Sequence, residues 1–346
     1  MVRNCLRFIV LFTITVGTMT SIDPIFDTDK NNKVYGADFT GGAGNDNQPG
    51  TINDDTITGL GGDDQQAGRD GIDKLYGDEQ DITDSMLTGG DDIQAGGDQS
   101  DTLYGDASKL VGTANLTGGS DSQYGGRGDD VLYGDSYDSL DSSYLKGGND
   151  HQNGGIGNDK LYGDSGFPDD QAVVRGGDDI QIGDQGDDSI YGESSNSDGD
   201  GIVFGGDDLQ AGGLGNDSMY GDIENNGGNI QLLNLNGGND IMKGGPGSDT
   251  MYGDARTLND QSTGGDDILI GGVDTDTMYG DAKTMNGAIG GNDILDASIG
   301  GNTTGGNDIL YGNSGADTFI IGQNCNAQVM DFNAAEGDVI IKDAQC

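Results

Sequence analysis

Five short turns carry the residues best suited to chemistry in this chain: GGDQSD (96–101), GGRGDD (125–130), GGIGND (154–159), GGLGND (212–217) and GGPGSD (244–249). Glycine permits the left-handed backbone that a tight bend needs, and such a bend exposes carbonyl oxygens. The closing aspartate adds a carboxylate at a constant place in each turn. Oxygen donors without thiol or imidazole suit Ca2+, which accepts six to eight oxygens in flexible geometry; Mg2+ demands a strict octahedron, and zinc or copper would want His or Cys. The repeats contain one histidine, His151.

The composition agrees with a cation partner and excludes others. The chain has 346 residues, 68 of them glycine, with 61 acidic against 15 basic side chains and a formal charge of -46. Phosphate attraction needs the opposite sign, so nucleic acid is excluded as a natural partner. Anionic membrane surfaces are excluded for the same reason, and no stable membrane insertion is expected. Self-repulsion of this size opposes compaction, and on composition alone the chain reads as disordered. Bound multivalent cations would remove that repulsion.

Periodicity overrides the disorder reading. An apolar residue followed by Tyr-Gly recurs at Leu75, Leu103, Leu132, Leu161, Ile190, Met219, Met251 and Met278, in steps of 27 to 32 residues. A second column runs through Gln66, Gln94, Gln123, Gln152, Gln181 and Gln210, then changes to Met242, Leu269, Leu295 and Leu310. A third runs through Leu87, Leu116, Leu145, Val174, Val203 and Leu235. Each column sits in a short segment bounded by Gly and Asp, too short for a helix, which leaves strands joined by tight turns. A fixed period near 29 residues then predicts an all-β, parallel β-roll or β-helix solenoid of about nine coils, a rod of roughly 40 Å at ~4.8 Å per rung. In such a stack identical glutamines lie one above the next and hydrogen-bond along the axis, so we expect an inward amide ladder.

The turns also resemble a known family, the RTX or haemolysin-type calcium-binding repeats, whose nonapeptide is GGxGxDxUx with U a large apolar residue. GGRGDDVLY (125–133), GGIGNDKLY (154–162), GGLGNDSMY (212–220) and GGPGSDTMY (244–252) match every position; GGDQSDTLY (96–104) lacks the middle glycine. The resemblance implies a parallel β-roll with Ca2+ held between successive turns by the motif aspartate and main-chain carbonyls. Carried over by position, the implied ligands are Asp73, Asp101, Asp130, Asp159, Asp188, Asp217, Asp249, Asp276 and Asp317. On the partner turns they are Asp64, Asp92, Asp121, Asp150, Asp179, Asp208, Asp240, Asp267, Asp293 and Asp308. The chain departs from the family where Gln takes the apolar position, and where a segment after each Tyr-Gly-Asp lengthens the coil beyond two nonapeptides. The longer coil is either three-sided or a two-sided roll with side loops.

Four further features complete the reading. The acid after each Tyr-Gly (Asp78, Asp106, Asp135, Asp164, Glu193, Asp222, Asp254, Asp281) is either a third ligand set or a solvated corner. DTDKNNKVYGAD (27–38) resembles an EF-hand loop, with Asp27, Asp29, Asn31 and Asp38 as ligands, or else is a polar linker. Residues 1–22 place Arg3 and Arg7 ahead of an apolar run from Phe8 to Val16, as a secretory signal peptide does. Cys325 and Cys346 either pair or stay free, within a C-terminal segment (323–346) that resembles the cap of such rolls. Residues 23–59 carry the EF-hand-like loop and the first turns, and 60–322 the roll.

No catalytic constellation stands out. GDSG (163–166) is accounted for by the periodic Tyr-Gly-Asp column, and HExxH and GxSxG are absent. The expected function is that of an extracellular or cell-surface calcium-binding solenoid without catalysis that folds as its turns take up Ca2+. The alternative is a calcium-dependent adhesin or ligand-binding protein using an exposed tyrosine face.

Overall fold

The computed structural model describes residues 36–168, 171–195, 201–224, 234–298, 306–322 and 326–343. The EF-hand-like positions Asp27, Asp29 and Asn31, the leader-like residues 1–22 and all three cysteines lie outside these residues.

Two parallel sheets of twelve strands run along the described chain, from Asp38–Thr40 to Val339–Asp343. One, the leucine–tyrosine sheet, stacks the apolar-Tyr column in register: Leu75 pairs with Leu103, Leu103 with Leu132, and Leu132 with Leu161. The other, the glutamine sheet, aligns Gln66 with Gln94 and Gln94 with Gln123 in the same way. The register follows from the pleat. A slip of one residue would turn leucine and glutamine outward and lysine, serine or isoleucine inward.

The coil is a two-sided roll with a lobe on one side. Successive rungs are 18 residues apart at the start (Thr56 on Lys74), then 28 (Lys74 on Thr102) and 29 (Thr102 on Val131). The additional residues form three narrower parallel sheets. One comprises Asp81–Thr83, Ala107–Val111, Ser136–Ser139 and Ser165–Pro168; the second is six-stranded and runs from Met86–Thr88 to Asn234–Asn236; the third pairs Ala255–Asn259 with Ala282–Asn286. The lobe has its own core: the third column packs there with Ile82 and Leu110, all buried except Leu87, which is partly covered. Near the C-terminus the lobe ends and short coils return. There Leu310 stacks on Met278, in the leucine–tyrosine sheet, and the glutamine column instead continues from Leu295 to Phe319. Leu310 therefore belongs to the other column from the one its spacing suggested, because the shortened coil shifts the count.

The tyrosines stack face to face from Tyr76 to Tyr311, with adjacent ring centroids 4.7–5.2 Å apart and planes within 11°. They point away from the roll interior, yet those from Tyr76 to Tyr279 are only 4–9% exposed. The lobe covers them: Tyr137 meets Tyr133 edge-on at 5.3 Å, and a Cβ on Gly166 would lie 2.6 Å from Tyr133 Cε1. Burial raises their phenol pKa values above the usual 10. An adhesive tyrosine face is thus corrected to a buried seam between roll and lobe.

The glutamines form the expected amide ladder. Each Nε2 from Gln66 to Gln210 donates to the Oε1 of the preceding rung at 2.9–3.1 Å. The same nitrogen donates across the roll to the carbonyl of the tyrosine ten residues on, at 2.7–2.8 Å, so the ladder also ties the two long sheets together. These side chains are at most 3% exposed, and their hydrogen bonds are what make a polar interior tolerable.

Candidate metal centres

Each edge of the roll is a file of aspartates. Along one, the backbone N–H of Asp73 donates to Asp101 Oδ1 at 2.8 Å, Asp101 N–H to Asp130 Oδ1 at 2.7 Å, and so on through Asp159, Asp188, Asp217, Asp249 and Asp276. Along the other, the same bond links Asp64, Asp92, Asp121, Asp150, Asp179, Asp208, Asp240, Asp267 and Asp293 at 2.6–2.9 Å. Each carboxylate therefore clamps its own coil to the preceding one.

The spacing had placed two residues on the wrong files. Asp308 accepts from Asp276 N–H, and Asp317 accepts from Asp293 N–H, so the two exchange edges. The cause is again the short C-terminal coil. Three aspartates missed in sequence extend the files: Asp55 accepts from Ala37 N–H, Asp46 N–H donates to Asp64 Oδ1, and Asp338 accepts from Asp317 N–H. GGAGND (41–46) held the signal for Asp46, at an 18-residue rather than a 29-residue spacing. Asp38 is exposed, at the start of the first strand of the leucine–tyrosine sheet.

The second oxygen of each clamp is the chemically informative atom. Oδ2 of every aspartate from Asp64 to Asp293 in both files, and of Asp317, is buried and has no hydrogen-bond partner. It faces a glycine and a main-chain carbonyl. A Cβ on Gly77 would overlap both Asp92 Oδ2 and the Gly105 carbonyl oxygen; one on Gly96 would overlap Asp101 Oδ2 and lie 2.7 Å from the Gly125 carbonyl oxygen. Each is a cradle of hard oxygens that only glycine leaves open. Among the described residues no three His, Cys, Asp or Glu side chains converge, so one carboxylate per turn and main-chain carbonyls make up the donor set. That set fits Ca2+.

Without a cation these carboxyls resist ionisation. Burial, helped by neighbouring carboxylates and opposed by the N–H bond, pushes Asp64 up to about 6 and Asp92 to about 8 on one edge, and Asp101 to about 8 and Asp159 to about 7 on the other. Asp121, Asp150, Asp240 and Asp267 lie well above the usual carboxylate range for the same reason.

The turns explain the tolerated departures from the glycine pattern. In the undivided turns from Gly59–Asp64 onward the second and fourth positions take positive φ, as at Gly126 (114°) and Gly128 (136°). Gln99 and Asp274 occupy the fourth position with φ of 82° and 85°, the same conformation without glycine.

The lobe enters inside a turn. Leu60 N–H donates to the Asp78 carbonyl, which aligns Asp78 with the second position of Gly59–Asp64. In Gly77–Asp92 residues 79–88 are therefore inserted between the second and third positions. The acid column after Tyr-Gly closes this neck: Asp78 accepts from Gly90 N–H at 3.0 Å, Asp222 from Gly238 N–H at 3.1 Å, and Asp254 from Gly265 N–H at 2.8 Å. All eight acids are 0% exposed, so they are not solvated corners.

Nothing resembles an active site at GDSG. Ser165 is buried beside Ser139, whereas His151 lies on the outer face of the glutamine sheet next to Tyr124.

Fold and turns together define a parallel β-solenoid whose two edges are lined with oxygen cradles for a hard cation. The sequence profile of the RTX calcium-binding nonapeptide repeat matches residues 87–109, 116–136, 144–167, 173–196, 227–255, 261–282 and 301–323, and the chain belongs to that family. A comparison with curated proteins finds no match.

Proposed function

We propose that this is an exported calcium-binding structural protein, without catalytic activity, whose roll assembles as Ca2+ enters the turns. The observation that carries the reading is the orphaned Oδ2 on successive rungs of both edges. Buried, unpaired carboxylates are costly, and a divalent ion shared with glycine carbonyls removes the cost. The residues that would hold it are the two aspartate files, Asp64 to Asp317 and Asp73 to Asp308, with Asp27, Asp29, Asn31 and Asp38 as a separate loop. Bound calcium would supply positive charge between coils, and the chain's own N–H to Oδ1 clamps would set their register. Binding free energy then becomes folding free energy. The leader-like residues 1–22 support export to an extracellular or cell-surface setting, where millimolar Ca2+ suits weak modular sites. Among the described residues no helix is long and apolar enough to cross a membrane.

Circular dichroism of the full chain in Ca2+, in chelator and after Ca2+ is restored tests the reading. We expect a β spectrum with Ca2+, a disordered one in chelator and full recovery, with Mg2+ failing to substitute. A spectrum indifferent to chelator would remove the proposal.

A further inference from the structure

The eight neck acids have a staple's geometry but not a staple's chemistry. Accepting one glycine N–H across the neck needs only a neutral oxygen, and this chain buries amides readily, as its glutamine ladder shows. Yet all eight split turns carry Asp or Glu at that position, while undivided turns carry mostly neutral residues there, such as Leu60, Gly97, Gly126 and Asn313. One oxygen in seven of the eight, Asp222 Oδ2 and Asp254 Oδ2 among them, is buried without a partner. Acids of successive coils also converge on one glycine. A Cβ on Gly237 would overlap Asp254 Oδ1 and lie 2.9 Å from Asp222 Oδ2; one on Gly118 would overlap Asp135 Oδ1 and lie 3.1 Å from Asp106 Oδ2. At Gly237 one of the two oxygens, Asp222 Oδ2, has no partner while Asp254 Oδ1 accepts from Gly265 N–H, and this approach of successive carboxyls repeats along the axis; among the described residues no ion pair joins a lysine or arginine to these acids.

We infer that the neck is a third file of divalent-cation sites, distinct from the two turn files, each ion bridging the carboxylates of successive coils. Main-chain carbonyls of the neck complete the oxygen shell that Ca2+ takes. Such an ion cross-links the root of one lobe segment to the next. This inference rests on the calcium reading above, and the following test separates the two.

Crystals of the full chain grown in Ca2+ are measured at a wavelength where calcium scatters anomalously. We expect three lines of peaks, the third between neck acids, for example between Asp222 and Asp254. Peaks confined to the two turn files overturn this inference alone; protons shared between neighbouring carboxyls would give that result. Peaks nowhere overturn the calcium reading as well. In parallel, Asp254→Asn keeps an acceptor for Gly265 N–H and removes the charge. Since Asp254 borders two intervals, calcium bound per folded chain should fall by about one to two ions. A folded variant with unchanged calcium content counts against the third file, and if it does not fold, the anomalous map of the unaltered chain decides.

Discussion

Gln210 and Met242 stand in register on successive rungs, and the amide ladder stops between them: Gln210 Oε1 is buried with no donor above it. Below this point the interior of the glutamine sheet is hydrogen-bonded, and above it Met242, Leu269, Leu295 and Phe319 make it apolar.

This boundary makes ladder substitutions unequal. Gln123→Leu strands Gln94 Oε1 and one amide hydrogen of Gln152, and should cost about 2–4 kcal/mol. Gln210→Leu strands only Gln181 Oε1 and removes an oxygen already unpaired, so it should cost about 1 kcal/mol or less. Denaturant unfolding in saturating Ca2+ compares them, and equal costs would contradict the ladder.

Glycines that face the cradles should not accept a methyl. Gly77→Ala would overlap Asp92 Oδ2 and the Gly105 carbonyl, and we expect it to weaken calcium binding at that edge and lower the calcium-dependent melting temperature by several degrees. Gly44→Ala meets nothing within 4 Å and serves as the control. Calorimetric titration of both variants gives the comparison.

Gln99 holds a left-handed backbone with an exposed side chain. Gln99→Gly should relieve about 1 kcal/mol of strain. The same exchange at Gln185, whose φ is not positive, should be neutral or destabilising. Urea midpoints in Ca2+ decide the point.

Protons should partly replace calcium. The cradle aspartates are raised in the cation-free fold to about 6 for Asp64 and about 8 for Asp92 and Asp101, against ~3.9 in an unfolded chain. The fold therefore favours their protonated forms. In chelator this contribution is complete below about pH 4 and is lost as pH rises through 6 to 8. Far-UV dichroism in chelator should show more β structure at pH 5 than at pH 8. With Ca2+ present the trend should reverse, because protons compete for the same oxygens. A chelated sample equally disordered at both values would count against the burial argument.

The lobe should be separable from the roll. Excising residues 79–88 joins Asp78 to Gly89 and recreates the spacing of Gly59–Asp64. The variant should fold in Ca2+ and lose about 2–3 kcal/mol through the departure of Ile82 and the uncovering of its neighbours. Failure to fold at any calcium concentration would mean that roll and lobe are one cooperative unit.

The leucine, tyrosine and glutamine columns were legible because each repeats at nearly constant spacing and each position sees the same neighbours above and below. The inward glutamines could be read before any coordinates, since the same column later carries Met and Leu. Asp46, Asp55, Asp308, Asp317 and Leu310 were not read correctly, because the coil shortens at both ends and a 29-residue template passes over an 18-residue turn. The role of Asp78 and its equivalents was hidden for another reason. Their partner, a glycine N–H, lies ten to sixteen residues away across an inserted lobe segment, and only the closed neck brings the two together.

By itself the chain determined its coil. Gly-Asp punctuation, a polar-apolar alternation and an unbroken period leave parallel stacking as the only way to bury short segments that cannot bury themselves. Only the tertiary structure decided where the lobe folds back, which covers the tyrosines, and which carboxylate oxygens are left without a partner. Those outcomes depend on contacts between coils, where burial removes solvent and leaves each acid to a neighbour's backbone or a cation.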